Sequence, residues 1–258
     1  MAAVSRIWAV ALTTLRETLR NKILLHIAGF AAAMLALSWV VSNWSLGEPQ
    51  KIITDLGLTV TALAGVTIAL FTGVVLVYGE VERRTILPLL AKPLARGEFI
   101  LGKFFGFSAA VMLVYLGMNA ALILLLWGVG RPPSGQLIAA AYLSAWEVEL
   151  VVALALMFST FSTPTLSALY TVMLFIAGRF SGDIKLFLAH NPLASAKPVL
   201  TAVYAVVPHL SAFNLRREAV HSLTVGWEQL WYPTLYGALY CLMVLVIAAM
   251  AFRNRDLA

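Results

Sequence analysis

Residues 78–103 read YGEVERRTILPLLAKPLARGEFILGK, a charged stretch set between two long apolar segments. It carries Arg83, Arg84, Lys92, Arg96 and Lys103 together with Glu80, Glu82 and Glu98. Charges this dense belong in water, because each one costs several kcal/mol at the centre of a bilayer. The flanking runs, at roughly 57–78 and 104–127, are each long enough for a helical crossing of the hydrocarbon core, which takes about 20 residues. The charged stretch therefore reads as a loop between two membrane spans.

Working outward, four further apolar runs lie at roughly 23–42, 137–161, 165–180 and 233–252, giving six expected spans. The fifth is the shortest and is interrupted at Arg179. A chain of 258 residues with 61% hydrophobic and 12% charged residues and a mean hydropathy of +0.90 is too oily to be a water-soluble globule. The expected fold class is an all-α polytopic membrane protein, one domain over residues 1–258.

The basic residues report the orientation. Arg6, Arg16, Arg20 and Lys22 precede the first span, five Lys/Arg lie between spans two and three, and Arg253 and Arg255 follow the last. The loops 43–56 and 128–136 carry only Lys51 and Arg131. By the positive-inside rule both termini and the 79–103 loop are expected in the cytosol, and 181–232 outside. Its Lys185, Lys197, Arg216 and Arg217 do not overturn this, since long translocated segments obey the rule weakly. The same distribution explains the net charge of +6 without a nucleic-acid partner. Cys241 is the single cysteine and lies in the last span, so no intrachain disulfide forms and a packing role is expected. The run Ile7 to Leu12 is followed by Thr13, Thr14, Arg16 and Glu17 and lacks a convincing cleavage site, which argues against a cleaved signal peptide.

Residues 4–21 place Trp8, Ala11, Leu12, Leu15 and Leu19 at helical spacing, as in an elbow helix lying along the cytosolic leaflet. Gly65, Ala69 and Gly73 in span two, and Gly102, Gly106 and Ala110 in span three, recur every four residues. Such stripes let helices approach closely in lipid, within one subunit or across a dimer. Arg131 to Gly135 and Ser162 to Pro164 are short turns, so the neighbouring spans are antiparallel hairpins. The 52 residues of 181–232 contain Pro192, Pro198 and Pro208 and the interfacial aromatics Trp227, Trp231 and Tyr232, the pattern of short surface-lying or partly re-entrant helices.

Few residues suggest chemistry. Gly97 to Lys103 matches the start of the phosphate-loop pattern, but Phe104 stands where a Ser/Thr should hold magnesium and no soluble strand precedes it. If ATP powers this chain, another polypeptide hydrolyses it. Gly106-Phe107-Ser108-Ala109 resembles the short signature of intramembrane serine proteases, yet His26, His190, His209 and His221 offer no evident base for Ser108. The three outer histidines, spaced by 19 and 12 residues, match no compact metal-ligand pattern. Neither a catalytic, a cofactor-binding nor a metal site is expected. Glu147 and Glu149 sit near the middle of span four, where a carboxylate needs a reason. They lie about 200° apart around a helix and cannot share one cavity. The expectation is that one lines a polar route or the dimer seam while the other bonds a neighbouring helix, with Arg179 a depth-mismatched partner; a neutral hydrogen-bonded helix clamp and an ion-coupled secondary transporter are the competing readings. Ile86, Leu87, Leu89, Leu90, Leu94, Phe99 and Ile100, interleaved with the charges of the 79–103 loop, suggest a docking surface for another protein.

Taken in order, several stretches resemble the permease subunits of ABC-2 type transporters, in particular their six-span NosY-like branch. They are the Glu80 to Lys103 region, EVELVVALALMFSTFSTP around Glu149, Val207-Pro208 through Phe213-Asn214, and the ending Phe252-Arg253-Asn254-Arg255-Asp256. The resemblance implies a type V exporter transmembrane domain in a bacterial inner membrane. It also implies a homodimer or a pair of related permeases, bound to two separate ATP-binding subunits that hold ATP and Mg, with an accessory protein outside as a candidate partner. Glu80, Glu82, Arg83, Arg84, Thr85, Lys92 and Arg96 would form the interface that couples to the ATPase, and substrate would pass along the dimer seam, lined by spans two and five. The cargo is not implied.

Overall fold

The computed structural model of the chain describes residues 3–42, 48–79, 95–130, 132–190 and 197–253. Among these residues every regular element is helical. In chain order they are α1 (Ala3–Leu19), α2 (Lys22–Ser42), α3 (Pro49–Leu76), α4 (Arg96–Gly128), α5 (Gly135–Phe161), α6 (Pro164–Arg179), α7 (Ser181–His190), α8 (Lys197–Val206), a 3-10 turn (Leu210–Phe213), α9 (Arg216–His221) and α10 (Trp227–Arg253). Helices α2, α3, α4, α5 and α10 are each long and apolar enough to cross a membrane. A sixth crossing results if α6 and α7 form one span broken by a 50° bend.

Local chemistry explains where the helices start. Pro49 and Pro164 occupy the first turns of α3 and α6, where no backbone N–H is needed. Ser134 caps α5 by accepting the Leu137 N–H at 3.2 Å. The Glu98 carboxylate accepts the Ala95 N–H at 3.2 Å, so α4 begins at Arg96 and the charged stretch read as loop to residue 103 is already helical over its last eight residues.

Helix α5 is the hub of the bundle. Leu150 to Leu156 are at most 1% exposed, so neighbours surround this part of α5 on every side. The small residues of α3 face it: a Cβ on Gly65 would meet Val148 at 2.8 Å, and one on Gly73 would meet Ala155 at 2.8 Å and Phe107 at 2.9 Å. The α4 stripe faces α1 instead. A Cβ on Gly102 would lie 2.6 Å from the Val10 Cβ and 2.9 Å from the Ile7 carbonyl oxygen, and one on Gly106 would overlap the Ala11 carbonyl. Both stripes are thus contacts within the subunit, where close van der Waals packing is what holds helices together in lipid.

The segment between α7 and α10 is fastened to the bundle. The Tyr236 hydroxyl accepts the His209 N–H at 2.9 Å, and the Ser181 and Ser211 hydroxyls lie 2.8 Å apart. Gly178 lets this segment come close, since a Cβ there would sit 2.6 Å from the Pro208 carbonyl oxygen. At its far end Ser222 adopts φ 52°, the left-handed C-terminal cap that ends α9.

Candidate functional site

Glu147 is 2% exposed on α5 and paired with Arg179 at the end of α6. One guanidinium nitrogen, Nη1, donates to both carboxylate oxygens, at 2.6 and 2.8 Å. The expected depth mismatch does not exist. From the α5–α6 turn, Glu147 is 14 residues back along α5 and Arg179 is 15 residues forward along α6, about 21 and 22 Å at 1.5 Å per residue. Helix α6 bends before it has crossed a core about 30 Å thick, so its arginine stops level with the glutamate.

The pair borders a cavity of about 180 Å³ between α3, α5 and α6. Arg216, at the start of α9, closes it from above: its guanidinium donates to the Thr59 hydroxyl and pairs with Asp55 at 3.1 Å. Ser144 and Asn214 complete the polar lining. A second, polar hollow of about 460 Å³ shares Asn214 and Arg216 with the first and contains Asp55 and Arg217, so the two follow one another at the end of the bundle remote from α1.

Glu149 faces elsewhere, as its position on the helix requires. It accepts the Ser108 hydroxyl at 2.6 Å in a largely apolar cleft of about 490 Å³ between α4, α5 and α10, with Phe104, Trp146 and Cys241 among its walls. Ser108 is therefore the donor to a carboxylate, and the protease-like signature is a helix–helix hydrogen bond.

The α1 end of the bundle is cross-linked by polar contacts around the first turns of α4. Arg6 grips Glu98 with two donors, Nε at 2.9 Å and Nη2 at 2.6 Å. Arg96 donates to the Phe252 and Arg253 carbonyls at 3.2 and 2.6 Å, neutralising the negative end of α10, and Phe99 stacks on Phe252 with ring centres 5.6 Å apart. Lys103 is 3% exposed, 3.9 Å from Glu17 and 5.8 Å above the Phe99 ring. The run that resembles a phosphate loop is thus continuous helix whose glycine admits α1 and whose lysine is internally engaged.

Of the residues expected to couple to an ATPase, Arg96 takes part in this lattice, whereas Glu80, Glu82, Arg83, Arg84, Thr85 and Lys92 lie outside the described residues. Sequence reasoning missed Arg216, Asp55 and Thr59 as companions of Glu147 and missed the Arg6–Glu98 fork, whose partners are 92 positions apart. A carboxylate within the apolar helix α3, Asp55, was an available signal.

Comparison with known proteins supplies the family. The ABC-2 family transporter protein model matches residues 8–257. The probable ABC transporter permease protein NosY of Stutzerimonas stutzeri is 32% identical over 148 residues, 50% of this chain and 52% of that protein. The protein of the same description from Pseudomonas aeruginosa is 32% identical over 128 residues, 46% of each. These alignments span about half the length of the curated relatives. The family match is nearly end to end, and it coincides with a bundle of apolar helices of spanning length: the chain belongs to the ABC-2 family of transporter proteins.

Proposed function

We propose that this chain is the membrane-spanning permease subunit of an ATP-binding cassette exporter in a bacterial inner membrane. It works as a homodimer or with a related permease, its termini in the cytosol, and two copies of a separate subunit hydrolyse ATP. The observation that carries the reading is the lattice on α4. Arg96 and Glu98 follow directly after residues 80–94, and they bind the end of α10 and the start of α1. A force applied to that stretch is therefore delivered to three helices at once. Nucleotide-driven closure of the ATPase pair can bias the permease only through a contact that differs between the two states, and such a contact at residues 80–94 meets that requirement.

The test is co-purification. The chain is expressed in its source cells and captured through a tag, and the eluate is probed for a Walker-motif ATPase. Replacing Glu82, Arg83 and Arg84 with alanine is expected to abolish retention of the ATPase while leaving the permease folded. Retention at wild-type levels, or uphill transport by the isolated chain in vesicles, would refute the proposal.

A further inference from the structure

The geometry points to the cavity between α3, α5 and α6 as a binding site for an oxyanion, phosphate-like in chemistry, held by Arg179 and Arg216. The inference rests on the permease reading, since it names the kind of group a cargo presents to this chamber. A guanidinium has five N–H donors. Glu147 occupies Nη1 of Arg179, and among the described residues the Nε and Nη2 side of the fork has no partner. The arginine lines the cavity and is 32% exposed, although it lies beside a glutamate that is 2% exposed. A fork edge of this kind matches two oxygens of one anion.

Arg216 stands across the same cavity and is 39% exposed. Its ties to Asp55 and Thr59 fix the guanidinium without enclosing it. Ser144 and Asn214 add donors at the wall, and Arg217 lines the adjoining hollow through which an anion would enter. Glu147 and Asp55 balance the two arginines while no ligand is bound. Glu147 then has a second effect: it competes with an incoming anion for Arg179, which keeps affinity moderate enough for release.

Two sources share this chemistry, a phospholipid headgroup and a free inorganic anion, and a two-armed measurement separates them. The full-length chain in detergent is titrated at constant ionic strength with radiolabelled inorganic phosphate by equilibrium dialysis, and with dihexanoyl phosphatidate by native mass spectrometry. Dihexanoylglycerol, which lacks the anion, serves as the control. Saturable binding of either phosphate probe is expected, at least tenfold weaker in Arg179→Gln and in Arg216→Gln, and tighter in Glu147→Gln, where the competitor is gone. A merely structural ion pair predicts no such tightening. Should Arg179→Gln fail to fold, the Glu147→Gln/Arg179→Gln double variant, which leaves no buried charge, replaces it and is expected to lose binding to the same degree. Binding confined to the phosphatidate identifies a lipid headgroup, and binding confined to inorganic phosphate identifies a soluble anion. Absence of saturable binding in both arms, binding equal to that of dihexanoylglycerol, or binding indifferent to all the arginine substitutions overturns the inference. ATPase co-purification is read separately on the same variants, so failure here leaves the permease reading standing.

Discussion

Removing Arg179 should be far more costly than removing the whole Glu147–Arg179 pair. With Nη1 at 2.6 and 2.8 Å from the carboxylate oxygens, the charge centres are about 4 Å apart, worth about 4 kcal/mol at an effective dielectric near 20. The guanidinium is 32% exposed, and screening at a partly exposed site trims that figure to roughly 2–3 kcal/mol. Glu147, at 2% exposure, has no comparable access to solvent. Arg179→Gln strands this carboxylate and should destabilise by about 3–5 kcal/mol. Glu147→Gln leaves a partly exposed arginine and should cost about 1–2 kcal/mol. The double variant keeps two neutral amides able to bond each other and should cost no more than about 2 kcal/mol. The assay is a double-mutant cycle by SDS titration of the chain in mixed micelles, followed by far-ultraviolet circular dichroism. A coupling of at least about 2 kcal/mol is expected. If Arg179→Gln costs less than about 1 kcal/mol, or if the two single effects simply add, the depth argument that places these groups together is wrong.

The glycine at 106 should be intolerant of any side chain: Gly106→Val drives Cγ atoms into the Ala11 carbonyl and the Thr14 Cβ, which a Cβ alone would already approach to 2.8 Å, and should loosen α1 by about 1–3 kcal/mol. Faster labelling of a cysteine placed at the buried position Ala11 reports that release, whereas Gly117→Val, where a Cβ meets open space, should leave labelling unchanged. The segment around His209 should weaken on acidification. Burial, and next the positive charge of Lys185, hold the His209 imidazole below its ordinary range, so the folded protein disfavours its protonation more than the unfolded chain does. Stability is then full above about pH 6.5, the unfolded value, and falls as the pH drops from there towards the depressed folded value. Thermal midpoints between pH 7.5 and 5.5 should decline in the wild type and decline less in His209→Asn, and equal slopes would contradict the assignment.

Much of the architecture was legible because it depends on local quantities. The apolar runs could be measured against bilayer thickness, the proline at 164 marked a turn between helices wherever they packed, and the separation of Glu147 from Glu149 followed from helix geometry alone. The small-residue stripes announced close contacts but not their partners. Gly102 and Gly106 turned out to receive α1, a helix nearly a hundred positions earlier, and Gly65 and Gly73 to receive α5. The run Gly97 to Lys103 misled in the opposite way: its composition fits a loop, yet Phe99 and Ile100 are buried and the segment is held as helix by contacts with α1 and α10.

By itself, then, the amino-acid order determined that this is a bundle of membrane-crossing helices with one long charged connection, because the cost of placing each residue in hydrocarbon can be summed along the chain. Only the tertiary structure decided that Arg179 meets Glu147, that Arg216 joins them over Thr59, and that Arg96 and Glu98 tie three helices together. Those pairings depend on where α6 bends and on which helix lies against which, and residues far apart in sequence determine them through shape and charge that no local pattern records.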